Sequence, residues 1–128
     1  MAETSLNNST VEVDTGNDAI TIIQHIEGIP GGRSLNVEGF TPEVIQAGHV
    51  VIKDKTTGEF KPMPVTTGGE YAALPANHSV EGVVVASVLT SAAMVGIMVR
   101  GSVNVVSSPY PVTDAIKTAL PLIRFTQD

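Results

Sequence analysis

The apolar stretch from Val80 to Val106 constrains the fold more than any other part of this chain. Within it, Gly82–Val99 contains no charged residue, over about the 18 positions at which a membrane-spanning helix has to be considered. Valine dominates the stretch, however, and β-branched residues favour strands over helices. Thr90–Ala93 is typical of a turn between two runs of strand length. We therefore predict two buried strands here, with a single-pass helix over Gly82–Val99 as the alternative.

Composition limits the classes of function that are open to the chain. Its 128 residues are enough for one ordinary domain. The net charge of −6 argues against direct nucleic-acid binding and against docking on an anionic membrane. Cysteine is absent, which excludes disulfides, thiolate metal sites and cysteine nucleophiles.

The chain is predicted to consist of an N-terminal arm, residues 1–17, and a single β-rich domain, residues 18–128. The arm is polar and has too little apolar surface to form a core, so we expect it to be flexible. One pentapeptide within it alternates polar and apolar side chains as a strand does: Thr10, Val11, Glu12, Val13 and Asp14. Such a segment could add to the open edge of a partner's sheet. A first strand of the domain, or a simple tail, remains the alternative.

Local patterns predict the other elements of the domain. Strands are expected at Ala19–Ile26, Ser34–Phe40, Ala47–Lys53, Phe60–Val65 and Leu122–Phe125. Pro62 and Pro64 cannot donate to a ladder, so the strand that carries them should be a sheet edge. Thr41–Glu43 predicts a single helical turn. A short helix is expected over Val112–Leu120, capped by Thr113 or Asp114 and ended by Pro121.

No residue constellation in the sequence indicates catalysis or cofactor binding. A nucleophile elbow, a helical histidine pair and a dinucleotide fingerprint are all missing, and His25, His49 and His78 share no ligand spacing. We predict that the chain is not an enzyme and holds no metal or cofactor. The long loop Thr66–Ser79 is of a kind that is often functional. Its candidate exposed contact residues are Tyr71 and Asn77.

Four stretches of the domain carry a resemblance to a known family. They are Ile45–Lys53, Val80–Ala86, Val95–Asn104, and the helix around Ala115 together with Leu122–Phe125. In this order they resemble the small decoration (head-stabilising) proteins of tailed bacteriophages and the capsid-binding part of phage head-fibre proteins. The resemblance extends over about Leu35 to Phe125 and rests on glycine and apolar patterns.

The resemblance implies a homotrimer on the outer surface of a capsid, where major capsid proteins meet. It also implies an arm that adds a strand to a capsid-protein sheet, for which Thr10–Asp14 is the candidate. The expected fold is mainly β, a small compact β-barrel or β-clip-like domain with one short C-terminal helix. The expected function is that of a virion structural protein, made in the host cytoplasm, that binds and stabilises the capsid. The alternatives are a head-fibre protein whose loops bind host or mucus glycans, and the membrane protein considered above.

Overall fold

Ten strands and two short α-helices make up the domain in the computed structural model, which describes residues 15–16 and 18–127. In chain order these are α1 Asp18–Thr21, β1 Ile22–Gly28, β2 Arg33–Ser34, β3 Val44–Ile45, β4 Val50–Asp54, β5 Phe60–Pro62, β6 His78–Val84, β7 Val88–Leu89, a 3₁₀ turn Thr90–Ala92, β8 Met94–Val95, β9 Ile97–Asn104, α2 Asp114–Ala119 and β10 Ile123–Thr126. The prediction of a small, mainly-β domain is confirmed, with two helices instead of one.

Six strands form one sheet in the order β1-β9-β6-β4-β5, with β10 pairing parallel to β9. The strand β9 pairs with β1 along one side. Along its other side, β6 pairs with Ile97 and Met98, and β10 pairs with Gly101–Asn104. The order has two ends, β1 and β5, and no closed barrel forms in the part of the chain described. The predicted edge position of the proline-bearing strand β5 is confirmed.

The valine-rich middle of the chain folds back on itself as sheet. Strands β6 and β9 pair antiparallel at Val83–Met98 and Val84–Ile97, and all four side chains are buried. The connection is longer than the predicted turn, because it contains β7, the 3₁₀ turn and β8. The alternative of a helix over Gly82–Val99 is therefore wrong. Among residues 15–16 and 18–127, no helix is long and apolar enough to cross a membrane.

Three local predictions are corrected by the structure. The first predicted strand begins only at Ile22, because the residues before it form α1. The strand expected over Ser34–Phe40 ends at Ser34, since the chain turns where the Phe40 N–H donates to the Val37 carbonyl at 2.9 Å.

Thr41–Glu43 forms no helical turn. Instead, two backbone carbonyls of this segment bind Thr90. The Thr90 N–H donates to the Glu43 carbonyl at 2.9 Å, and the Thr90 hydroxyl donates to the Pro42 carbonyl at 2.7 Å. Contacts with a distant turn have replaced the local hydrogen bonds that a helix would need.

The core lies on both faces of the interior strand β4. Val50 and Ile52 belong to one buried cluster and Val51 to the other, which explains why the strand is apolar without alternation. The helix α2 closes the first cluster with Ile116, and its predicted cap is confirmed, since the Ile116 N–H donates to Thr113 Oγ1 at 3.3 Å.

Candidate interaction surface

The end strand β1 exposes an apolar row to solvent. Every residue from 23 to 27 is exposed, with Ile23 at 46% and Ile26 at 54%, and Ile20 of the adjoining helix α1 is 52% exposed. The strand contains no proline, and among the described residues it pairs only with β9. Natural sheets usually protect such edges, because an exposed apolar edge invites association with another chain. This edge is the strongest candidate for an interaction surface.

Two β-bulges explain why these isoleucines face solvent. The register with β9 shifts at Ile23 and again at Ile26, where β1 carries one residue more than its partner strand. The extra residue of a bulge is left out of the ladder and the strand bends around it. The paired residue Ile22, by contrast, packs against the first core cluster. The bulges therefore direct part of an apolar strand away from the core.

Charged side chains of both signs border this row. Glu27 is the register partner of Arg100, and Arg124 pairs with Ser102 on the other side of β9. Glu27, Arg100 and Arg124 are all exposed, and the pairing places them on the adjacent strands β1, β9 and β10. Among the described residues, Glu27, Arg100 and Arg124 make no ion pair. We call the set Ile20, Ile23, Ile26, Glu27, Arg100 and Arg124 the β1 surface.

The start of the domain is fixed to its body beside this surface. The Asp18 carboxylate accepts from the Ser87 hydroxyl at 2.7 Å and from the Ser87 N–H at 2.9 Å. The buried Thr21 hydroxyl donates to the Ser107 carbonyl at 3.1 Å. Helix α1 is therefore held at both ends.

The candidate contact residues of the sequence are not brought together. Thr10, Val11, Glu12, Val13 and Asp14 lie outside the described residues. Asn77 is exposed, but it serves its own turn: its side-chain amide donates to Thr56 Oγ1, and its carbonyl accepts from the Lys55 N–H at 2.9 Å. Its positive φ of 62° suits an Asn in such a turn.

Tyr71 is buried, which corrects the prediction of an exposed ring. Its side chain is only 9% exposed, and its hydroxyl accepts from the Val50 N–H at 3.0 Å. Burial raises the pKa of Tyr71. The loop thus packs its aromatic residue against β4 instead of exposing it to solvent. In the sequence, the only indication of this burial was the short apolar segment that contains Tyr71 and Leu74.

A buried histidine lies at the centre of this aromatic cluster. The His49 ring meets Phe40, Tyr71 and Tyr110 edge to face, with centroids 5.3 to 5.5 Å apart. Its Nε2–H donates to the Met63 carbonyl at 2.9 Å. Burial lowers the pKa of His49 to about 4, so the ring is neutral at pH 7. His49 is therefore a core residue, and its role is structural.

A groove of about 380 Å³ lies beside the other end strand, β5. At its side, His78 Nδ1–H donates to the Ala76 carbonyl at 2.8 Å, and Lys61 Nζ donates to His78 Nε2 at 3.2 Å. Asp54 Oδ2 lies 3.9 Å from Lys61 Nζ. The groove is also lined by Phe40 and the Glu38 carboxylate, so it could accommodate a small polar ligand.

No group of three or more His, Asp or Glu side chains within the described residues is arranged to hold a metal ion.

Comparison with known proteins adds no family assignment: no family model matches the chain, and no significant match was found among curated proteins or solved structures.

Proposed function

We propose that this chain is a non-enzymatic virion structural protein that binds the outer surface of a bacteriophage capsid and stabilises it as a homotrimeric decoration protein. The observation that carries the proposal is the β1 surface, where Ile20, Ile23 and Ile26 are exposed close to the junction with the arm, residues 1–17. A small protein with half-exposed apolar residues on one side is suited to assembly with macromolecules. The partner proposed from the family resemblance is the major capsid protein.

In this proposal the arm makes the capsid contact, with Thr10–Asp14 added as a strand to a capsid-protein sheet. Burial of Leu6, Val11 and Val13 would contribute roughly 1.5–3 kcal/mol each. Ordering the backbone costs about 1–2 kcal/mol per residue. One arm is therefore close to break-even, whereas three arms on a trimer gain roughly 100- to 10,000-fold in avidity.

The test uses capsids assembled without this protein. Deletion of residues 1–17 is expected to abolish capsid binding in a co-sedimentation assay and to leave the melting temperature of the domain unchanged. In the full chain, Val11→Ser with Val13→Ser should weaken binding strongly, while the matched polar control Asn7→Ser with Asn8→Ser should not. Capsid affinity that survives the deletion would refute the proposed role of the arm.

A glycan-binding head fibre is a second candidate, and the groove beside β5 favours it. The groove is lined by an aromatic residue, Phe40, and by two charged residues, Glu38 and Lys61. Sugars suit such mixed sites, since their hydroxyls both donate and accept. The purified protein would be tested for binding on a glycan array. Binding that is lost in Glu38→Gln and kept in Glu70→Gln, a control outside the residues that line the groove, would support this candidate. Absence of any glycan binding would remove it.

A further inference from the structure

We infer that the β1 surface is the contact through which copies of this chain bind one another. This inference deepens the proposed function, on which it rests for its biological setting, because it assigns the copy-to-copy contact to described residues. It leaves the arm available for the capsid protein. The partner of the β1 surface is thus a second copy of the same chain.

The apolar part of the surface supplies the attraction. Ile20, Ile23 and Ile26 are each about half exposed, and they follow one another along α1 and β1. Their burial against an equivalent surface removes apolar area from water, which is the main driving force of protein association. The neighbouring start of the domain is fixed by the Asp18–Ser87 hydrogen bonds, so little ordering is required on binding.

The charges around the isoleucines favour a second copy over an unrelated partner. Glu27 carries one sign, Arg100 and Arg124 carry the other, and none of the three forms an ion pair in the part of the chain described. A partner of a single charge sign would leave one of these groups buried without a counter-charge, which is costly. In a trimer each β1 surface meets the next copy around a threefold axis, so Glu27 of one copy can match the arginines of its neighbour.

The bulges determine the mode of contact. A regular sheet edge would extend its ladder into the neighbouring copy, but Ile23 and Ile26 interrupt the regular register of β1. Bulges on edge strands hinder edge-to-edge pairing. The copies therefore associate by packing side chains of the β1 surface, and the two ladders do not merge.

The first test measures self-association of the purified full chain by sedimentation equilibrium. Ile23→Ser with Ile26→Ser is expected to raise the dissociation constant about 100-fold, about tenfold for each isoleucine. Met94→Ser is the matched control, because Met94 is 65% exposed but lies on β8 outside the sheet. It should leave the dissociation constant unchanged. Circular dichroism verifies that each variant is folded.

A charge-exchange experiment tests the pairing directly. Glu27→Arg makes the surface uniformly basic, and Arg100→Glu with Arg124→Glu makes it uniformly acidic. Each variant alone should associate at least tenfold more weakly than the wild type. In a one-to-one mixture of the two, two of the three contacts in a mixed trimer join opposite charges, so association should be partly recovered. Recovery in the mixture would show that the two variants are folded, and that their weak association alone is due to the mismatched charges.

A wild-type chain that sediments as a monomer at all concentrations would overturn the inference. So would isoleucine variants that weaken association no more than Met94→Ser. The proposed function fails separately: if the chain self-associates through this surface but never binds capsids, the inference stands and the capsid role does not. If a β1 variant is monomeric and still binds capsids with wild-type affinity, the inference about self-association stands, and the proposal that capsid binding requires a trimer is wrong.

Discussion

The two ends of the main sheet are built in opposite ways. At β5, Pro62 and the nearby Pro64 have no N–H to offer a neighbouring strand, and the chain covers the edge where the Asn36 N–H donates to the Phe60 carbonyl at 2.8 Å. At β1, apolar residues are exposed and nearby charges have no partner among the described residues. One end of the sheet is closed and the other is available. The difference indicates the side from which a partner approaches.

A buried aromatic cluster lies next to the closed end. His49, Tyr71 and Tyr110 pack together behind β5, and the hydrogen-bonding groups of His49 and Tyr71 bind backbone atoms. The open end rests instead on close backbone packing between β1 and β9. Four predictions test whether this contrast holds, in order of decreasing effect.

Acid should destabilise the closed end most. The unfolded chain protonates His49 below a pH near 6.5, while the folded chain does so only near 4, because burial lowers the pKa of His49 to about 4. The unfolded state therefore binds more protons in this window, and stability is lost as the pH falls through it. The loss is about 3 kcal/mol by pH 4. Urea denaturation at pH 7 and pH 4 measures it.

The matched variants for this prediction are His49→Gln and His25→Gln. The first should lose most of the extra acid sensitivity, whereas the second, on the exposed strand β1, should keep it. An unchanged pH dependence in His49→Gln would show that the buried ring does not control the closed end.

At the open end, Gly101→Ala should destabilise the domain by roughly 2 kcal/mol. A Cβ at this position would collide with the Gln24 carbonyl oxygen and with Met98 Sδ, so β1 would have to move away from β9. Gly96→Ala is the control, because its nearest contacts are Val85 side-chain atoms at an ordinary 3.7 Å. Urea denaturation compares the two. Equal stability losses would mean that β1 is not held closely to the sheet.

Opening the closed edge should have a smaller effect on stability and a visible effect on association. Pro62→Thr with Pro64→Thr is expected to reduce the free energy of unfolding by about 1 kcal/mol, since the unfolded chain gains freedom. It also restores two N–H groups, so light scattering should detect new concentration-dependent association. Pro111→Thr, in the connector before α2, should not cause it. A double variant that associates no more than wild type would show that the prolines do not guard the edge.

The charged residues beside the groove, Asp54, Lys61 and His78, should contribute least to the stability of the domain. Lys61→Met removes the hydrogen bond to His78 and the 3.9 Å contact with Asp54, and a long ion pair of this kind contributes little to stability. The pKa of Asp54 should stay below its usual value in this variant. Its lowering comes first from the Thr56 N–H and then from the Thr57 N–H, with Lys61 the smallest contributor. An NMR titration of Asp54, with Lys55→Met as control, measures this. A return of the Asp54 pKa to its usual value would contradict it.

Much of the architecture could be predicted from local patterns. The valine runs around Val83 and Ile97 indicated two paired strands, Pro62 indicated an edge, and Thr113 indicated a helix cap. Each of these signals depends on residues adjacent in sequence. Tyr71 was misjudged because its burial depends on the Val50 N–H, twenty-one positions away.

The sequence by itself determined that this chain forms a small, mainly-β domain, because β-branched periodicity and proline chemistry act over a few residues. The tertiary structure alone decided which side of that domain is available. Ile22 is packed against the core while Ile23 is exposed, although both are isoleucines on one strand. Their difference arises from the register with β9, and register is set by a strand more than seventy residues further along the chain.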